Sequence, residues 1–122
     1  MILSKTRLNV SDNSGGVVAE CIRVLGKSTV ATVGSIVVVA VKKTKWRRKT
    51  KVKTHGVYYG LVLRSKKGLH RFYGMKLFFE ENSVVLLDRK LNPFFNRIFG
   101  PVPYELRKTK FVKLLLMGSN VI

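Results

Sequence analysis

Apolar residues recur along this chain in short blocks, mostly β-branched or aromatic, and glycine, serine, asparagine or aspartate closes most of them. Residues 6–10 alternate polar and apolar, which predicts a short strand, and Ser11-Asp12-Asn13-Ser14-Gly15-Gly16 stops it. Asp and Asn side chains bond their own backbone and glycine accepts positive φ, so this cluster reads as a turn. Residues 17–25 have the character of a second strand. Gly26-Lys27-Ser28 turns the chain, and Gly34 turns it again after residues 29–33. Residues 35–41, SIVVVAV, are too few for an ordinary helix and rich in valine, which predicts a buried strand. Residues 57–64, VYYGLVLR, predict the next one, with Gly60 marking a bulge or a tight barrel bend. A turn at Ser65-Lys66-Lys67-Gly68 and a closure at Tyr73-Gly74 lead to strands at 76–79 and 83–88, parted by Glu80-Glu81-Asn82. Short strands at near-regular spacing with glycine turns predict a small closed β-barrel rather than an open sheet. From Arg89 the texture changes. Leu91-Asn92-Pro93 is a turn and residues 97–101 are extended. Pro103 suits the first turn of a helix, so 103–107 and 111–117 are each expected to make one or two helical turns, the second ended by Gly118.

Between the strands at 35–41 and 57–64 lies KKTKWRRKTKVK, residues 42–53, in which eight of twelve residues are Lys or Arg and none is acidic. As one strand the run would reach about 40 Å, against a radius of gyration of about 14 Å for a domain of this length. Burying so many unpaired cations is prohibitive, so the run cannot cross the interior. It is expected to go out and back as a β-ribbon or loop extending about 20 Å from the barrel, with His55-Gly56 near its return. So many like charges repel unless a polyanion lies alongside, and the simplest polyanion is nucleic acid. Trp46 sits inside the run, where an indole suits stacking on a base or sugar, or packing on its own ribbon. Arg47 and Arg48 can fork onto phosphate. A second basic patch runs from Arg64 through Lys66 and Lys67 to His70 and Arg71.

The whole composition leans the same way: 24 Lys+Arg against 6 Asp+Glu in 122 residues, a net charge of +18 and 46% hydrophobic residues. That length fits one domain, residues 1–122, with core enough to fold and no linker composition to divide it. The balance suits a protein embedded in RNA or DNA. A single cysteine, Cys21, rules out an intrachain disulfide and a thiolate zinc site of its own. No apolar run approaches the ~20 residues that span a bilayer, and neither a signal-peptide core nor an amphipathic basic helix is visible, so no membrane partner is expected. No enzyme activity is expected either. The six carboxylates are scattered and the adjacent pair, Glu80-Glu81, points to opposite faces if extended. His55 and His70 lack metal-ligand partners at the right spacing, and no nucleotide-cradling glycine motif occurs, so neither metal nor cofactor is expected. Asn13 to Gly16 offers a backbone nest for one phosphate oxygen, or a plain turn. Phe72, Phe78, Phe79, Phe94, Phe95 and Phe99 are expected in the core or at protein contacts, with Phe94-Phe95, beside Pro93, as an exposed apolar contact.

Several spaced motifs resemble the ribosomal protein uL14 (L14) family, from about Ile2 to Val121. TRLNVSDNSG at 6–15 is close to that family's opening strand and turn, and CIRVLG at 21–26 to its second strand. GLVLRSKKG at 60–68, followed by Gly74, Phe79, Asn82 and Val84-Val85-Leu86, fits its signature block. RIFGPV at 97–102 and Glu105-Leu106-Arg107 are similar to its C-terminal signature. Tyr73, the Trp46-Arg47-Arg48 tip and Phe94-Phe95 depart from the usual pattern. The resemblance implies a mainly β fold, a five-stranded barrel with a projecting basic ribbon and short C-terminal helices. It implies a structural place in the large ribosomal subunit on its rRNA, beside uL3-like and bL19-like proteins. It also implies contact with small-subunit rRNA across an intersubunit bridge, and a face on which a ribosome-silencing factor can dock. Carried over by motif, Asn96, Arg97 and Lys113 would belong to that face.

The expected rRNA-binding residues are therefore Lys42, Lys43, Lys45, Trp46, Arg47, Arg48, Lys49, Lys51, Lys53, Arg64, Lys66, Lys67, His70, Arg71, Asn13 and Ser14. An architectural nucleic-acid-binding protein outside the ribosome is the alternative. Fifteen Lys and seven Phe against three Ala suggest an AT-rich coding genome. That composition favours a mitochondrial ribosome, with plastid and bacterial cytoplasmic ribosomes as alternatives.

Overall fold

The computed structural model describes residues 2–46 and 50–122. Five strands close a barrel: β1 (Arg7–Val10), β2 (Gly16–Val24), β3 (Ile36–Thr44), β4 (Val57–Arg64) and β7 (Ser83–Leu87), in the order β1-β2-β3-β4-β7. Neighbours pair antiparallel except at the closure, where β1 runs parallel to β7 with Asn9 opposite Ser83 and Val10 opposite Val84. The alternation that predicted the strands is the alternation that fills the inside. Val37, Val39 and Val41 of β3 point inward with Ala19 and Cys21 of β2, Leu8, Val62, Val84 and Leu86, all at most 1% exposed. Burial pushes the Cys21 thiol pKa up, which leaves it a small apolar filler. Gly60, expected at a bulge or bend, lies in register between Val37 and Leu86. Its hydrogen matters for a different reason: a Cβ there would come within 2.6 Å of Val84 Cγ2 across the narrow interior.

Most outward residues of β4 and β7 do not face water. Leu61, Leu63, Val85 and Leu87 form a second core with Phe95, Ile98, Val102, Leu106 and Leu114. The C-terminal segment thus lies over one wall of the barrel. It comprises β8 (Ile98–Val102), a 3-10 turn (Tyr104–Lys108), a short α-helix α1 (Val112–Met117) and β9 (Gly118–Val121). The helical turns fall where Pro103 and Gly118 placed them. The parallel pairing of β9 with β8, Ile98 opposite Gly118 and Val102 opposite Val121, was not expected.

Two expectations need correction. The strand expected at 76–79 shrinks to β6 (Lys76–Leu77), which pairs with β5 (Leu69–His70) in a separate two-stranded hairpin. Phe94 and Phe95 are not an exposed contact. A bridge from Pro93 to Leu87 draws them onto the barrel, where Phe95 is buried and Phe94 meets Tyr58 edge-on at 5.4 Å. Phe72 and Phe78, expected in the core or at protein contacts, belong to or flank that hairpin and are exposed, together with Tyr73 and Met75, so the contact alternative is the one that remains.

Candidate nucleic-acid interface

β3 outlasts its pairing with β4, which ends at Ala40 opposite Val57, and continues along β2 with Lys43 opposite Val18 and Thr44 opposite Gly16. The outgoing arm of the basic run is therefore a strand that carries Lys42 and Lys43 into solvent. The returning arm is a loop, and it is tied down. The Lys51 N–H donates to Ser14 O (3.0 Å), the Lys45 N–H to Gly15 O (2.7 Å) and the Lys53 N–H to the Tyr58 hydroxyl (2.9 Å). The Thr44 and Thr54 hydroxyls meet at 2.9 Å between the two arms. The strongest anchor is Val52, fully buried in the barrel core. As the only aliphatic residue among eight cations it was a visible signal.

The 12–16 turn is the clamp that holds both arms. Asp12 is buried, and its Oδ2 accepts the Leu86 N–H at 2.8 Å while its Oδ1 accepts the Ser14 N–H at 3.0 Å and the Ser14 hydroxyl. Burial raises the Asp12 pKa, against the pull of those hydrogen bonds and of Lys45. Gly15 has φ +106°, and a Cβ would strike Thr50 of the returning arm at 2.6 Å. Ser14, expected at phosphate, is buried and committed to Asp12. Asn13 is exposed and pairs with Asn96, donating to its Oδ1 at 2.6 Å and accepting its backbone N–H at 3.2 Å.

That pairing brings the two expected faces together. Arg97 follows Asn96, and two residues on from it along the same extended face stands Phe99. The Phe99 ring carries the Arg97 guanidinium at 5.6 Å on its centroid and Lys45 Nζ at 5.3 Å. Phe99 was not expected in this role, although the i, i+2 spacing from Arg97 would have placed it. Lys42, Lys43, Lys45, Lys51 and Lys53 are exposed, as is Trp46, and no ion pair is found for them among the described residues. Arg47, Arg48 and Lys49 lie outside the described residues.

Arg64 and Arg71 have a different setting from these lysines. Arg64 is 6% exposed, and its Nη2 donates to Ser11 Oγ, to Ser83 Oγ (2.9 Å) and to Glu81 Oε1 (3.1 Å). Burial lowers its pKa and Glu81 works against that, so it serves as an internal strut. Arg71 forks onto Glu105, Nε to Oε1 at 2.6 Å and Nη2 to Oε2 at 3.0 Å, and also donates to the Ile122 carbonyl at 2.6 Å. Burial pushes Glu105 up, but the Arg71 fork and Lys108 outweigh it and hold its carboxyl below the usual value. Lys66, Lys67 and His70 remain exposed, and Lys113 is exposed on α1.

What decides the kinship is the sequence match along all these elements: the model of the family described as ribosomal protein L14p/L23e matches residues 1–122. The chain belongs to that family. It is a protein of the large ribosomal subunit, from a family whose members serve generally as structural components. The described lysines of the run, the Asn13–Asn96 pair and the Phe99 platform occupy one end of this ribosomal chain's barrel, while Lys113 and the Arg71–Glu105 fork belong to its C-terminal cover.

Proposed function

We propose that this protein is a non-enzymatic rRNA-binding constituent of the large subunit, and that residues 1–122 act as one uL14-like domain. The observation that carries the reading is the cluster of exposed Lys42, Lys43, Lys45, Lys51 and Lys53, on two arms fixed to a barrel end by Val52 and the 12–16 turn. Pinned cations without acidic partners bind phosphate without having to be ordered first, which makes the contact cheaper in entropy. Lys66, Lys67 and His70 supply a second point of attachment, so that RNA segments that repel each other are bridged by one rigid body. Trp46, fully exposed, stands ready to stack on a base.

Asn96 and Arg97 on the barrel end, and Lys113 on the C-terminal cover, are the residues for small-subunit rRNA across a bridge and for a ribosome-silencing factor. The hairpin that exposes Phe72, Tyr73 and Met75 suits the uL3-like or bL19-like neighbours, since aromatic side chains left in water favour protein contact. The low alanine and high lysine and phenylalanine content supports a mitochondrial ribosome. Tagged protein is expected to co-sediment with isolated mitochondrial large subunits and to remain there through a high-salt wash that strips peripheral factors. Sedimentation as free protein, or only with duplex DNA, would overturn the reading.

A further inference from the structure

The C-terminal cover leaves part of the barrel wall bare. The pairing registers set Arg23 opposite Val38, Val38 opposite Tyr59 and Tyr59 opposite Leu87, one row across four strands. Leu87 is buried under the cover, but Val38 and Tyr59 are only half-buried and Arg23 is exposed. The turn after β7 folds up beside them, and the result is a groove of about 840 Å³ whose walls include Arg23, Val38, Tyr59, Arg89, Lys90 and Phe94. Its one carboxylate, Asp88, is already engaged: its Oδ1 accepts the Lys90 N–H at 2.9 Å and the Asn92 N–H at 2.8 Å. Three exposed cations therefore rim an aromatic floor against a single carboxylate, which leaves the groove a net charge of about +2.

We propose that this groove binds an unpaired segment of RNA, with phosphates on Arg23, Arg89 and Lys90 and a base against the rings of Tyr59 and Phe94. The proposal rests on the reading of the chain as an rRNA-binding protein and extends it to a surface outside the basic run. Aromatic faces set among arginines are what single-stranded RNA needs, since every base has a π-face and every linkage a charge. Phe94 is already fixed edge-on against Tyr58, so the floor is rigid before any ligand arrives. The groove also continues from the basic run. Tyr58 lines it, and the hydroxyl of Tyr58 accepts the N–H of Lys53, so the returning arm and the groove share a wall.

The test uses the full chain and a mixed-sequence single-stranded RNA of about 12 nucleotides carrying 4-thiouridine, long enough for one such site. Photo-crosslinking followed by peptide mapping is expected to mark Tyr59 or Phe94 as well as residues 42–53. The triple variant Arg23→Ala, Arg89→Ala, Lys90→Ala changes only exposed side chains. It is expected to weaken binding about tenfold and to reduce the log–log salt slope by about 2 to 3, one contact per cation. The matching Arg23→Lys, Arg89→Lys variant should keep most of the slope. Crosslinks confined to 42–53, with the triple variant binding within about twofold of the parent, would overturn the groove while leaving the rRNA reading intact. Unchanged RNA affinity with lost entry into large subunits would make the groove a protein contact, which also overturns it. An intact chain that binds no RNA at all would remove the wider reading and the groove with it.

Discussion

Arg64 and Arg71 show how little a cation's identity says about its task. Both stand in the basic stretch that ends at Arg71, yet each is claimed from within, Arg64 by Ser11, Ser83 and Glu81 and Arg71 by Glu105. The partners lie 17 and 34 residues away along the chain, and nothing local marks which of 24 cations meets which of 6 acids. That pairing was not legible before the fold brought the strands together. Arg64→Ala removes the charge and three hydrogen bonds from a buried position. It is expected to lower stability by about 3 kcal/mol, at the low end for such a pair because Glu81 stays partly exposed. Denaturant titration measures the loss. Glu105 gives a pH signature. Its pKa in the folded chain lies below its unfolded value, so the stabilisation is complete above about pH 4.5 and is lost as pH falls through the lowered folded value. Glu105→Gln should cost about 1 kcal/mol at neutral pH, and the gap between variant and parent should close in acid. A gap that stays constant from neutral pH into acid would assign the cost to packing instead.

At the scale of elements, what could be read was whatever rests on local periodicity. The stretch at 35–41 and the VYYGLVLR block read as strands because they are short and rich in β-branched and aromatic residues, and Pro103 and Gly118 bracketed the C-terminal helical turns. Elements that exist through distant pairing were invisible. Nothing in Gly118–Val121 itself calls for a strand. It becomes one because β8 lies beside it in parallel. The hairpin of β5 and β6 misled for the converse reason: its aromatics look like core residues, but a two-residue ladder has no inner face to bury them on. The basic run is the intermediate case. Its charge was plain, while its attachment depends on Val52 and on bonds to the 12–16 turn and Tyr58 that only the fold brings near. Val52→Ala should cost about 2 kcal/mol, near what equal truncation costs at Val84 in the same cluster. The two variants should part company in binding, because only Val52 holds the returning arm. Faster amide exchange at Lys51, with RNA affinity reduced more than in Val84→Ala, is the expected pattern. Equal affinities for the two variants would show that the arm keeps its place without its anchor.

For the whole molecule, net charge alone misjudges how many cations reach RNA. The total of +18 includes residues that are already neutralised within the fold and others spread over the far wall. The five described lysines of the run, Lys66 and Lys67, and the three groove cations make about ten phosphate contacts, which would set a log–log salt slope of roughly −7 to −9, since each neutralised phosphate contributes about 0.7 to 0.9. Replacing Lys42, Lys43, Lys45, Lys51 and Lys53 by Gln should then reduce the slope by about 4 in magnitude, and replacing Lys66 and Lys67 by about 1.5. Arg64→Gln removes as much formal charge per residue as any of these, yet should leave the slope nearly unchanged, because its charge never leaves the barrel wall. Filter binding of large-subunit rRNA over a range of salt separates the cases. If slope loss followed the number of charges removed, wherever they sit, the protein would be acting as a diffuse polycation. A loss that follows the exposed lysines and spares Arg64 requires the barrel to present particular charges at fixed places.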